Sequence, residues 1–135
     1  MRLEMTMKQY RRLLDMVYIG NWVINSMRGD DRIREFDDVE SLVFQKCKEL
    51  GLDSLTDQLD GAAVPSRSFS EGGIHEVVME YEDSVFFEIL AEELARRDVI
   101  AEGGTEDDSE QINERIGDYI EEFERNGTDN IVLNL

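Results

Sequence analysis

A chain of 135 residues, 41% apolar and 34% charged, is long enough for one ordinary folded domain and too rich in apolar clusters for a disordered tail. Its lone cysteine, Cys47, excludes an internal disulfide, and its lone histidine, His75, excludes zinc or di-iron centres that need two or more imidazoles. A formal net charge of −18 argues against direct binding of nucleic acid, whose affinity comes from Lys and Arg displacing counterions.

The charge is uneven. Residues 1–34 hold seven Lys/Arg against four Asp/Glu, whereas residues 35–135 hold seven against twenty-eight. Met1–Lys8 lacks the apolar stretch and small-residue cleavage site of an export signal. The run Met16–Ile24, about half a bilayer span, is broken by Gly20 and Asn21. A cytoplasmic protein with no membrane anchor is expected, in keeping with a single free thiol.

Thr6 and Gln9 have the spacing of a capping box, and Met7, Tyr10, Leu14, Val17 and Ile24 recur at helical intervals, which predicts a first helix over 7–28. Val17, Tyr18, Ile19, Trp22, Val23 and Ile24 point nearly all round it, so its second half is expected at the centre of the fold. A second helix over 32–50 carries Ile33, Phe36, Val39, Val43, Cys47 and Leu50 on one stripe, with Gly51 where a left-handed cap belongs. A short further turn is expected at 54–59, capped by Ser54.

Residues 60–73 contain Gly61, the only proline Pro65, serines at 66, 68 and 70, and Gly72–Gly73, and are expected to form one long flexible loop. A short helix through Ile74–Tyr81 and a second from Asp83 or Ser84 to about Asp98 follow, or one bent helix through both, with Glu92–Arg96 and Glu93–Arg97 in the favourable i, i+4 order. The last helix, 106–125, turns Ile112, Ile116, Tyr119, Ile120 and Phe123 inward, and Gly127 ends it. Residues 128–135 form an apolar tail. The expected fold is all-α: a single domain over 1–135, a compact bundle of four to six helices around a central amino-terminal helix, with one long loop and a short extended carboxy-terminal tail.

No catalytic constellation emerges. Cys47 lies on an apolar stripe, and no nucleophile elbow, P-loop or dinucleotide fingerprint is present, so no catalytic, cofactor-binding or metal-binding residue is expected. His75 has Glu71 and Glu76 near in sequence as orienting carboxylates, but a surface histidine at a helix start is its simplest description. The most distinctive pattern is Glu106, Glu110, Glu114, Asp118 and Glu122, spaced i, i+4 along the last helix and drifting about 40° per step.

These carboxylates are the expected partner-binding residues of a small, acidic, non-enzymatic protein-protein interaction module or adaptor that engages a basic partner surface. The basic residues Lys8, Arg11, Arg12, Arg28, Arg32 and Arg34 offer counter-charges within the same chain. Two alternatives are a small carboxylate-based or divalent-ion-dependent hydrolase using Asp37, Asp38, Glu80 and Asp83, and a structural homo-oligomer using the apolar tail or the faces of Tyr18 and Trp22.

Overall fold

In a computed structural model of residues 1–135, Thr6 opens the first helix as its spacing from Gln9 predicts. The Thr6 hydroxyl accepts from the Gln9 amide at 3.1 Å while the Gln9 side chain accepts from the Thr6 amide at 2.8 Å. The chain is mostly helical, with one small hairpin, and forms two compact units, Met1–Val78 and Met79–Leu135. None of its helices is long and apolar enough to cross a membrane.

In the first unit, α1 (Met7–Asn25) lies antiparallel to α2 (Arg34–Phe44), which tightens into a 3₁₀ turn at Gln45–Cys47. The first helix stops at Asn25, short of the expected residue 28. Asn25 is almost fully buried, and its amide makes a two-bond clamp on the incoming chain: Nδ2 donates to the Ile33 carbonyl at 3.0 Å and Oδ1 accepts from the Ile33 amide at 2.9 Å. Gly51, at φ +72°, ends the second helical segment in the left-handed region, with the Leu52 amide bonded back to the Cys47 carbonyl at 2.8 Å.

The inward stripe of α2 differs from the expected one. Phe36, Val39 and Leu50 are exposed, and the line that faces α1 is Asp37, Glu40, Phe44 and Cys47. The facing line of α1 runs Tyr10, Leu14, Tyr18, Asn21, Asn25, so the apolar ends of the two helices meet and so do the polar ends. Matching partners override the local apolar count: Phe36 would bring no hydrogen bond to Asn21, whereas Asp37 does, at 2.9 Å. For the same reason the second half of α1 is not enclosed by apolar neighbours; Val23 remains 54% exposed while Asn21 and Asn25 are buried.

The helical turn expected over 54–59 is confined to its start, because Thr56–Leu59 pairs as a strand, and the loop expected over 60–73 contains a second strand and a short helix. A 3₁₀ turn at Asp53–Leu55 leads into β1 (Thr56–Leu59), which pairs antiparallel with β2 (Ala62–Pro65) in the register Leu59↔Ala62 and Thr56↔Pro65. Asp60 and Gly61 form the two-residue turn, both with positive φ, the geometry that an Asp-Gly pair adopts at least cost. Ser66 then caps the four-residue α3 (Arg67–Ser70), accepting from the Phe69 amide and donating to the Ser54 carbonyl at 2.6 Å. This places Phe69, 1% exposed, edge-on to Phe44 (centroids 5.0 Å apart) and Tyr18 (5.3 Å), sealing a core of Tyr10, Leu14, Phe44, Cys47, Ala63 and Phe69.

Of the two arrangements expected from 74 to 98, a pair of helices or one helix through both, the chain forms a single helix, α4 (Gly73–Ala101), with no break at Asp83–Ser84. It supplies the last residues of the first unit and most of the second. There it packs on α5 (Ser109–Asn126) through Ala95, Val99 and Ile112, with Ile116 and Tyr119 around them. Phe123 sits 5.3 Å from Phe87 and 5.9 Å from Tyr119, between ring centroids. Gly103, at φ +93°, and Gly104 close the helix end, where a Cβ on Gly104 would stand 2.7 Å from the Val99 Cγ1. The tail Ile131–Leu135 is irregular and exposed.

Candidate functional site

The acidic row expected on the last helix is shorter than its spacing suggested. The helix begins at Ser109, not 106, because Asp108 folds back to accept from the Thr105 amide at 2.7 Å; Glu106 therefore lies in the preceding turn. At the other end Glu122 is half-buried and accepts from Asn126 at 3.1 Å and Asn130 at 2.6 Å. Glu110, Glu114 and Asp118 remain, exposed on α5 away from Ile112 and Phe123 and without ion pairs. The arginines on the same helix are engaged elsewhere: Arg115 with Glu102 at 3.0 Å and with Asp98, Arg125 with Glu121.

Of the six basic residues expected as counter-charges, Arg11, Arg12, Arg28 and Arg32 are engaged close by in the chain, whereas Lys8 and Arg34 form no ion pair. Arg11 and Arg12 both reach Asp15, at 2.9 and 3.0 Å, Arg28 reaches Asp31 at 3.1 Å, and Arg32 reaches Asp37. Arg11 also lies 4.9 Å above the Phe69 ring. Glu92 pairs with Arg96 as expected, but Arg97 turns to Asp98 in place of Glu93. Tyr119 also donates to Asp98, and this hydrogen bond, with Arg97 beside it, holds the Asp98 carboxyl below its ordinary value.

Of the carboxylates considered for hydrolysis, Asp37 is half-buried in the first unit and Asp38 is exposed, while Glu80 and Asp83 are exposed on the part of α4 in the second. No group of three or more His, Cys, Asp or Glu side chains is arranged to hold a metal ion.

The first unit contains a site that the sequence reading missed. Its polar half is a connected network. Asn25 donates to Asn21 at 2.7 Å, Asn21 donates to Asp37 at 2.9 Å, and Arg32 clamps Asp37 with two bonds of 2.6 Å. That clamp holds the Asp37 carboxyl below its usual range. Glu40, one turn further along α2, has no such clamp. Burial pushes its pKa up to about 7, with the Asp37 charge adding to the rise and the Asn21 amide and Arg32 opposing it.

Beside Glu40 opens a cleft of about 310 Å3, lined among others by Tyr18, Trp22, Ser26, Arg32 and Ser70. His75, half-buried in the first turn of α4, contacts two of these lining residues: its Nδ1 is 3.4 Å from the Tyr18 hydroxyl and its ring stands edge-on to Trp22 at 5.9 Å. Tyr18, not Glu71 or Glu76, is thus the partner of this histidine, and Glu71 pairs with Arg67. Burial, with the Glu40 charge behind it, raises the Tyr18 pKa. A half-buried carboxyl, a phenol and an indole around one cleft can bind a small polar group or exchange a proton with it. The one sequence signal was a pair of asparagines four residues apart inside an otherwise apolar stretch.

No protein-family model, curated protein or solved structure matches the chain.

Proposed function

We propose that this chain is a non-enzymatic interaction module or adaptor that engages a basic partner surface through Glu110, Glu114 and Asp118 of α5. The observation that carries this reading is that the three carboxylates are exposed and unpaired on one helix while the arginines of the same helix are held by other acids. Like charges at i, i+4 cost a helix a few tenths of a kcal/mol, roughly, per pair. A cationic partner would convert that small cost into attraction and speed the encounter. A cytoplasmic setting belongs to the same reading, since Cys47 is free and buried.

The test is capture from the native cell by the intact chain and by the triple variant Glu110→Gln, Glu114→Gln, Asp118→Asn, at low and at high salt. Basic proteins retained only by the wild type, and released by salt, are the expected result. Equal retention by the triple variant overturns the proposal.

Self-association is a second reading, favoured by a specific feature of α4. Met79, Phe86, Ile89 and Ile100 are each about half exposed, and they fall at the a and d spacings of a heptad on the side of the helix away from Ala91, Ala95 and Val99. The sedimenting mass across a concentration series separates this reading from the first. A carboxylate hydrolase has less support, because three of its four acids, Asp38, Glu80 and Asp83, face solvent.

A further inference from the structure

We infer that the cleft between α1 and α2 is a binding site for the ammonium group of a small organic cation, with Glu40 as its counter-charge and Trp22 and Tyr18 as its aromatic wall. This goes beyond the interaction reading and concerns a different unit of the chain.

The argument begins with the charges at the cleft. Arg32 is the only fixed cation lining it, and both its Nε and a terminal nitrogen are bound to Asp37 at 2.6 Å, so the pair is internally neutral. Glu40 is left with no cation of its own. It is half-buried beside the Asp37 carboxylate, and its proton is held to about pH 7 because no counter-charge replaces water around it. An incoming ammonium supplies that counter-charge.

The remaining walls suit the same ligand. Indole and phenol rings attract cations through their negative faces, most strongly where water is excluded. The Ser26 and Ser70 hydroxyls and the Tyr18 oxygen add acceptors for the three N–H groups of an ammonium. A volume of about 310 Å3 lies at the small end of ligand sites, which fits an alkylammonium or a single lysine side chain, its methylenes against Trp22 and Pro65. An anion finds no free donor charge here, and the net charge of −18 repels it.

Trp22 is the only tryptophan, so its fluorescence reports the cleft directly. The probes are n-butylammonium chloride and Nα-acetyl-lysine N-methylamide, with n-butanol as the neutral isostere and sodium chloride matching ionic strength. A saturable change with either cation, absent with butanol and lost in Glu40→Gln, is the expected result. Binding of both probes identifies the ammonium alone as the ligand group; binding of the lysine amide only identifies a peptide side chain. Either supports the site.

A pH series on the wild type covers the case in which Glu40→Gln fails to fold. The ionisable groups facing Glu40 are Asp37 and Arg32 from the α2 side, Tyr18 from α1 and, through Tyr18, His75 from α4. Full ionisation of Glu40 makes binding about tenfold tighter at pH 8 than at pH 6, given its pKa of about 7. No saturable response to either cation, or a response equal to that of butanol, overturns the inference.

Discussion

The two units solve the same problem, burying enough surface to hold a fold, by different means. Met1–Val78 combines a core of three aromatic rings around Phe69 with a buried polar network in which Asn21, Asn25 and Asp37 satisfy one another. Met79–Leu135 relies on a small cluster of Ala95, Val99 and Ile112 between two helices, and leaves Phe86, Ile89 and Ile100 about half exposed. The difference is instructive. A hydrogen-bonded interior specifies one register of its helices, whereas a helical hairpin with a thin apolar seam can present its outer faces to another molecule at little cost to itself.

The largest effect expected on this contrast comes from Phe44→Ala. Phe44 is fully buried and packs edge-on against Phe69, so its removal opens a cavity that the surrounding helices and hairpin cannot close. We expect a loss of about 3–5 kcal/mol, read from urea titration of Trp22 fluorescence. Hydrogen exchange of α5 should change far less if the two units open separately. Parallel loss of protection in both would mean that they unfold as one.

Next in size is Asn25→Ala. It removes the clamp on Ile33 and the donor to Asn21 together, leaving buried polar groups without partners, and should cost about 2–4 kcal/mol. In the second unit, Gly104→Ala forces a methyl group to within 2.7 Å of Val99 and 2.9 Å of Asp108, and should cost about 1–3 kcal/mol. That loss should show in α5 exchange while Trp22 fluorescence stays native.

How much of this was legible follows from how far apart in sequence the deciding partners lie. The Thr6–Gln9 capping box, the left-handed Gly51 and the Glu92–Arg96 pair are set by residues three or four positions away, and all three stand in the structure as expected. The Asp60–Gly61 turn was equally local, but strands of four residues offer too little alternation to announce themselves: Thr56–Leu59 resembled part of a helical turn and Ala62–Pro65 part of a loop. The Glu40 cleft left only the asparagine pair as a trace in the sequence. Asp37 and Glu40 three apart on α2, and Asn21 and Asn25 four apart on α1, are what a solvent face looks like until the two helices are laid against each other. The acidic row was legible as spacing, but its ends depended on Asp108 and Asn130, whose bonds to Thr105 and Glu122 no periodicity encodes.

Glu40→Gln sharpens the contrast through pH. A carboxyl whose folded pKa, about 7, stands above its ordinary value of 4.5 holds its proton more tightly when folded, so its contribution favours the native state in acid. That contribution is lost as the pH rises between those two values. Asp37 has the opposite sign: its lowered pKa stabilises above the ordinary carboxylate range and is lost on strong acidification. Glutamine cannot ionise, so the variant should match the wild type near pH 5. By pH 8 it should exceed it by about 1–2 kcal/mol, after allowance for the partial exposure of the group. Urea midpoints followed by Trp22 at the two pH values decide it, and a difference that does not grow with pH would remove Glu40 as the titrating group.

The smallest effect distinguishes a face made for solvent from one made for a partner. Glu114 has Glu110 four residues before it and Asp118 four residues after it, so Glu114→Gln relieves two like-charge contacts and should stabilise α5 by about 0.3–0.5 kcal/mol. Thermal melting at low salt should show the gain, and 0.5 M sodium chloride should erase it, since exposed charges are screened within a few ångströms there. A row kept only for solubility loses nothing when one carboxylate goes. A row that receives a cationic surface becomes more stable in isolation and weaker in capture, and only the two measurements taken together separate these cases. A gain in stability with undiminished capture would leave α5 as a solvated face and move the search for a partner to the exposed stripe of α4.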